Sequence, residues 1–156
     1  ATVTLEDHGK GTMVLADESQ LRQVIGNLVE NALRYGAKRG NITVGVYGPA
    51  YETRLRQNGL RLSVRDDGEG IAPHHLPRLA ERFYRVDSHR SREVGGTGLG
   101  LAIVKHIIHR HRGHLLIESV QGEGSTFTVF LNKIPHCHKT LTKLSQKLGQ
   151  AWPKDP

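Results

Sequence analysis

Two asparagines one helical turn apart, Asn27 and Asn31, stand out in the stretch from Gln20 to Gly36. At about 100° per residue, the apolar residues of this stretch fall on one face of a helix, while Asn27, Asn31 and Tyr35 follow its flank at i+4 steps. Two amide oxygens at this spacing can both bind a Mg²⁺ ion whose other ligands are water and phosphate oxygens. The alternative is an ordinary polar helix edge, which this stretch taken alone favours, because motif matches are often accidental.

A second candidate lies just after a predicted strand, at Asp66. Gly68 and Gly70 would let the backbone approach a flat ligand closely, although a pair such as Asp67-Gly68 is most often only a turn. In the functional interpretation, the Asp66 carboxylate accepts a hydrogen bond from the exocyclic amine of adenine. Guanine carries an oxygen at that position, so Asp66 would distinguish ATP from GTP. Thr126, on the last predicted strand, is a candidate to complete this contact.

The third candidate is a glycine-rich stretch, Gly95 to Leu101, that leads into a predicted helix. Backbone amides at a helix N-terminus favour anions such as phosphate. The stretch is not a P-loop, because no Lys-Ser or Lys-Thr pair follows at the required spacing, and its glycines differ from the dinucleotide fingerprint. Arg85, Arg90 and Arg92 lie just upstream as partners for phosphates, although a solvated basic loop has the same composition.

Alternating strands and helices must position these candidates. Periodicity predicts a first hairpin at residues 2–6 and 12–16, a helix at 20–36, strands at 42–47 and 60–64 joined by a long loop at 48–59, a short helix after residue 73, a helix from 100 to about 112, and a closing hairpin at 114–120 and 125–131. This order predicts one sheet covered on one face by helices. Residues 132–156 form a tail of different composition, which we expect to be a docking helix or disordered.

The composition is typical of a soluble globular domain. The chain has 156 residues, 37% of them hydrophobic and 24% charged, and no apolar run approaches the roughly 20 residues of a membrane span. The single cysteine, Cys137, excludes an internal disulfide framework. The net charge of +7 invites a nucleic-acid function, but the basic residues are scattered and only 5% of residues are aromatic. We therefore expect a polyanionic small ligand and an acidic partner surface rather than nucleic acid.

Five motifs resemble, in order, those of one family. They are Asn27 to Tyr35 (NLVENALRY), Asp66 to Gly70 (DDGEG), Glu81 to Arg85 (ERFYR), Gly95 to Leu101 (GGTGLGL) and Gly122 to Phe127 (GEGSTF). They are similar to the N, G1, F, G2 and terminal glycine boxes of the sensor histidine kinases, over nearly all of residues 1–131. The chain looks like the catalytic, ATP-binding domain of a bacterial two-component sensor kinase of the osmosensor and phosphate-regulon type. The resemblance implies an α/β sandwich of the Bergerat type, with a mixed sheet and helices packed on one face.

The resemblance implies a role for each matched position. Asn31, together with Asn27, would bind Mg²⁺, and Arg34 would reach the phosphates of ATP. Tyr35 would pack against adenine, and Asp66 would bind its amine. These residues would form the centre of the site.

The glycine motifs would complete the implied site. Gly68 and Gly70 would shape the base pocket, and Phe83 would anchor a mobile lid formed by residues 85–98. The other residues expected to contact ATP are Ile71, Arg85, Arg90, Arg92, Gly96, Thr97, Gly98, Leu99, Gly100, Leu101 and Thr126. The glycines among residues 96–100 would cradle the phosphates as the lid closes.

Position 27 bears on the type of reaction. The related gyrase, Hsp90 and MutL ATPases resemble this pattern but carry a glutamate there, four residues before the metal-binding asparagine, to activate water. The amide of Asn27 cannot act as a base. We therefore expect slow hydrolysis of ATP and transfer of its phosphoryl group to another nucleophile.

The resemblance also implies partners outside this chain. In the family the phosphoacceptor histidine lies on a separate dimerisation domain, and none of the 10 histidines here has its setting; His106, His109 and His111 are expected at the surface. We expect residues 1–131 to be the kinase domain, itself monomeric and cytoplasmic, of a membrane-anchored, homodimeric bacterial sensor. It would phosphorylate a histidine of the same protein for relay to a response regulator. The alternative is a degenerate module that binds nucleotide or a partner without kinase activity.

Overall fold

A computed structural model describes residues 1–86 and 95–134 of the chain. Arg90, Arg92 and the helix expected in the tail lie outside these residues. The elements described are the strands β1 (Thr2–His8), β2 (Asn41–Glu52), β3 (Gln57–Asp66), β4 (His114–Val120) and β5 (Gly124–Asn132), the helices α1 (Glu18–Tyr35) and α2 (Gly100–Arg110), and a 3-10 helix (Pro73–Arg78). The short helix expected after residue 73 is the 3-10 helix.

The five strands form one mixed sheet in the order β1-β2-β3-β5-β4. β1 runs parallel to β2, and the remaining neighbours are antiparallel. Alternate residues of the three central strands are buried beneath α1 and α2, as expected for a sheet covered on one side. These core residues are Ile42, Val44, Val46, Leu60, Leu62, Val64, Phe127, Val129 and Leu131. The predicted α/β sandwich with helices on one face is confirmed.

The predicted first hairpin is wrong. Residues 2–8 pair in parallel with β2, from Thr2 opposite Asn41 to His8 opposite Tyr47. The turn at Gly9 does not return the chain along β1, and Val14 instead makes an isolated bridge with Lys133. The physical reason is that turn composition marks where a strand ends but does not select its partner, which is set by long-range packing.

The predicted long loop at residues 48–59 is also mostly strand. β2 continues to Glu52, and β3 starts at Gln57, so only a tight turn joins them. The register shifts between Tyr47 and Ala50, at an irregularity where Gly48 has a φ of 131°. The end of this hairpin is largely exposed, so it lacks the apolar alternation from which strands are recognised in sequence.

Helix α1 begins and ends at local signals present in the sequence. The Asp17 side chain accepts a hydrogen bond from the Gln20 N–H at 3.0 Å, and Gly36 donates its N–H to the Ala32 carbonyl at 2.8 Å. Hydrogen bonds from the Ser19 hydroxyl and the Gln20 N–H lower the pKa of Asp17. These caps place Asn27, Asn31 and Tyr35 on a helix of fixed register.

In the described part of the chain, no helix is long and apolar enough to cross a membrane.

One of the three histidines near the end of α2 differs from the expectation. His106 and His109 are exposed, but His111 is half-buried and joins the two helices. Its Nε2 accepts the Asp17 N–H at 3.1 Å, and its Nδ1 lies 2.7 Å from the Ile107 carbonyl oxygen. Both bonds form at once only in the neutral ring with the proton on Nδ1. His111 therefore ties the end of α2 to the start of α1.

We expect His111→Ala to lower the free energy of unfolding by about 1 kcal/mol, because the hydrogen bond that joins the two helices and a second one within the end of α2 are lost. Urea unfolding measures this effect. His109→Ala is the matched control, since His109 is exposed on the same helix, and its effect should stay within about 0.5 kcal/mol. Equal effects of the two substitutions would contradict the structural role of His111.

Candidate functional site

A cavity of about 970 Å³ lies between the C-terminal half of α1, the end of β3, the start of β5, the 3-10 helix and the start of α2. Most of the residues expected at an ATP site line it. They are Asn27, Asn31, Arg34, Tyr35, Asp66, Gly70, Ile71, Arg85, Gly96, Thr97, Gly98, Leu99, Gly100 and Leu101. Stretches far apart in the chain are thus brought around one space of a size that suits a small-molecule ligand.

The floor of the cavity carries a buried carboxylate. Asp66 is only 4% exposed at the end of β3, and its Oδ1 accepts the Gly68 N–H at 2.9 Å. Gly68 does not itself line the cavity. A Cβ at Gly68 would collide with the carbonyl oxygen of Tyr35, so a glycine here allows the loop to pass close to α1. Gly68 therefore supports Asp66 from behind, while Asp66 lines the cavity.

On the β5 side of the sheet, the residue beside Asp66 is Ser125. Register pairs Asp66 of β3 with Ser125 of β5, and Ser125 in turn with Ser119 of β4. Ser125 is buried and lines the cavity, whereas Thr126 does not. Because side chains alternate along a strand, Thr126 points to the opposite face of the sheet. Ser125, rather than Thr126, thus lies beside Asp66 in the cavity. Ser125 shares a face with the buried Phe127, and this period-two alternation is already present in the sequence.

The two asparagines lie on the α1 wall of the cavity, and both are half-buried. The Asn27 Nδ2 group donates to the Gly100 carbonyl at 3.4 Å, which links α1 to the start of α2. Within the described ranges, no group of three or more His, Cys, Asp or Glu side chains could hold a metal ion. The donor set fits a hard cation that takes two amide oxygens from the protein and the rest from phosphates and water.

Arg34 connects α1 to the glycine-rich stretch. Its Nη1 donates to the Gly95 carbonyl at 3.2 Å, and its Nη2 pairs with the Glu30 carboxylate one turn earlier. A Cβ added at Gly96, whose φ is 137°, would lie 3.1 Å from the Arg34 Nη1 atom. A guanidinium and the backbone of a glycine loop therefore meet at this end of the cavity, where they favour an anion.

Phe83 contributes through its backbone rather than its ring. The side chain is 70% exposed and does not line the cavity. The Phe83 N–H donates to the Gly98 carbonyl at 2.9 Å, and a Cβ at Gly98 would lie 2.8 Å from the Phe83 carbonyl carbon. Gly98 has a φ of 70°, so glycine suits this position for two reasons. Phe83 thus contacts the glycine-rich stretch through its backbone, at Gly98.

The comparisons with known proteins agree with this arrangement. Residues 16–135 match the family described as histidine kinase-, DNA gyrase B- and HSP90-like ATPase. The chain belongs to this family. Within the ATPase family, it is 48% identical over 122 residues to the phosphate regulon sensor protein PhoR of Pseudomonas aeruginosa, covering 78% of this chain and 26% of that protein. It thus spans about a quarter of the length of this relative.

Solved structures of sensor kinases share the fold of this ATPase domain. The mycobacterial sensor histidine kinase MprB superimposes with a TM-score of 0.70 at 30% identity, over 85% of each chain. Full-length ShkA in complex with AMPPNP superimposes with a TM-score of 0.69 at 26% identity, over 85% of this chain and 25% of that one. The predicted relationship to the sensor histidine kinases is confirmed.

The cavity also has a wall to which the motifs assigned no role. His75 of the 3-10 helix and Tyr84 both line the cavity, and the His75 Nδ1 lies 2.5 Å from the Tyr84 hydroxyl. The Arg78 guanidinium stacks over the Tyr84 ring at 4.3 Å from its centroid. Aromatic and basic residues at 79–87 were a weak compositional signal for this wall, but the pairing of His75 with Tyr84 depends on how the loop folds back.

Proposed function

We propose that this chain binds Mg-ATP and transfers the γ-phosphoryl group to a histidine on a separate dimerisation domain of the same protein, for relay to an aspartate of a response regulator. The observation that carries the proposal is one cavity with a buried carboxylate, Asp66, at its floor and the asparagine pair of α1 on its wall. Asp66 suits a purine with an exocyclic amine, and the asparagine pair suits a metal-bound triphosphate. The AMPPNP bound to ShkA supports the same class of ligand.

Several residues of the cavity then have a task in the reaction. Asp66 binds the adenine amine, and Tyr35 packs against the base. Asn31 and Asn27 would hold Mg²⁺, which neutralises charge on the phosphates when bound. Arg34 and the amides of residues 96–100 bind phosphate oxygens. Catalysis rests on positioning and on stabilising negative charge, with no nucleophile supplied by this chain.

The α1 wall of the cavity carries an amide rather than a base at position 27. Asn27 has an amide where the hydrolytic relatives are expected to carry glutamate, and an amide cannot accept the proton of an attacking water. Glu30 also lines the cavity, but its carboxylate pairs with Arg34. We therefore propose slow hydrolysis and transfer to an external histidine, in a sensor that is homodimeric, membrane-anchored and bacterial, with this domain itself monomeric and in the cytoplasm.

Calorimetric titration of the chain with ATP and GTP, each with and without Mg²⁺, tests the proposal. We expect saturable ATP binding that weakens without Mg²⁺, and GTP binding weaker by at least about tenfold, because the guanine oxygen faces a carboxylate. Adding a dimerisation domain from a close relative should then yield phosphohistidine. Failure to bind ATP would contradict the proposal and favour a degenerate, partner-binding module.

A further inference from the structure

The Ser119 hydroxyl makes three polar contacts directly behind the cavity floor. Its Oγ accepts the Ile71 N–H at 2.8 Å, and it lies 2.9 Å both from the Gly124 carbonyl oxygen and from the Ser125 Oγ. Ser119 is half-buried on the edge strand β4 and does not line the cavity, whereas Ser125 does. Ser119 therefore contacts the floor of the site from outside.

Counting protons assigns a direction to each of these bonds. A serine hydroxyl has one proton and two lone pairs, and a carbonyl oxygen only accepts. The contact with Gly124 therefore takes the single proton of Ser119. The two lone pairs of Ser119 then accept the Ile71 N–H and the Ser125 hydroxyl proton. All three contacts are satisfied together only when Ser125 donates to Ser119.

We propose that Ser119 is a positioning residue that makes Ser125 a hydrogen-bond acceptor at the base end of the cavity. With its proton directed at Ser119, Ser125 presents lone pairs beside Asp66, its register partner. Two neighbouring acceptors match an amino group, which has two N–H donors, and disfavour a carbonyl oxygen. This inference rests on the proposed function, and it assigns the choice of a 6-aminopurine to the row Asp66, Ser125 and Ser119 rather than to Asp66 alone.

Removing the Ser119 hydroxyl has two separable effects. Ser125 can then rotate its proton into the cavity and donate to the carbonyl oxygen of a 6-oxopurine. The Ile71 N–H also loses its acceptor, which disturbs the loop after Asp66 for every nucleotide alike. Only the first effect changes the ratio of affinities for amino and oxo bases, so this ratio isolates the role of Ser119 in orienting Ser125.

The test is titration of the whole chain with ATP and with inosine triphosphate, both with Mg²⁺. Inosine triphosphate carries a carbonyl in place of the adenine amine and lacks the extra amine of guanine. We expect Ser119→Ala to lower the ratio of ATP to inosine triphosphate affinity by about threefold to tenfold, the effect of one neutral hydrogen bond. Ser119→Thr, which keeps the hydroxyl and suits a strand, should keep this ratio near its wild-type value.

A double-mutant cycle shows whether the effect passes through Ser125. In a Ser125→Ala background, Ser119→Ala should leave the ratio unchanged. Thr128→Val is the matched control, because Thr128 lies on the same strand as Ser125 but on the other face of the sheet and outside the cavity, and it should leave both affinities unchanged. Thermal unfolding of each variant confirms that the compared proteins are folded.

Three outcomes would overturn the inference. Equal weakening of both nucleotides by Ser119→Ala would show that Ser119 only supports the loop. A change of ratio that persists without the Ser125 hydroxyl would exclude the route through Ser125. Wild-type protein that binds neither nucleotide would contradict the proposed function itself. Intact ATP binding, with an unaltered ratio of ATP to inosine triphosphate affinity in the Ser119→Ala variant, would contradict only the role of Ser119.

Discussion

Replacing Asp66 by asparagine should lower the affinity for ATP by about tenfold to a hundredfold, the usual effect of losing a hydrogen bond to a charged group. A carboxylate has two oxygens and can accept both the Gly68 N–H and the base amine. The asparagine amide has one oxygen, so an NH₂ donor occupies the place of the second carboxylate oxygen. Its NH₂ group would instead face the adenine amine or the Gly68 N–H, donor against donor. Calorimetric titration with Mg-ATP measures the loss.

The same substitution should improve the relative binding of GTP, because the amide NH₂ can donate to the guanine oxygen. Asp67→Asn is the matched control. Asp67 is exposed, and its Oδ2 accepts the Asn41 N–H at 2.9 Å outside the cavity. Its replacement should leave ATP affinity within about twofold. ATP binding by the Asp66→Asn variant as tight as that of the wild type would exclude Asp66 as the base-recognising residue.

Replacing Asn31 by alanine should remove most of the dependence of ATP binding on Mg²⁺. The ratio of ATP affinities with and without Mg²⁺ should fall by at least about tenfold, a loss that even indirect metal partners typically produce. Alanine is a better helix former than asparagine, so α1 should be at least as stable in the variant. The loss of Mg²⁺ dependence could then not be attributed to unfolding, which circular dichroism would verify.

Gln23→Ala provides the control for this experiment. Gln23, Asn27 and Asn31 follow one another at i+4 steps along α1, but Gln23 is exposed and lies outside the cavity. Its substitution removes an amide from the same flank and should leave the Mg²⁺ dependence unchanged. An Asn31→Ala variant with undiminished Mg²⁺ dependence would show that this flank is an ordinary polar helix edge.

Local signals in the sequence were sufficient to predict several elements. Helix α1 has apolar residues at the helical period, a capping aspartate at its start and a glycine at its end, all of which act within a few residues. The closing hairpin alternates around a glycine-containing turn in the same way. The expected chemistry of Asn31 and Asp66 likewise follows from residue type and motif, and the cavity that contains both residues agrees with it.

Contacts between distant residues were decided by the tertiary structure alone. No local pattern indicates that β1 pairs with β2, that His111 binds the start of α1, or that Ser119 contacts Ser125. A hydroxyl or an imidazole can serve as donor or acceptor, and its role depends on the partners that folding brings within about 3 Å. The sequence by itself therefore determined the family, the main helix and the type of ligand. Packing of the sheet decided which side chains line the cavity, because side-chain direction depends on register and pairing, which only the complete fold specifies.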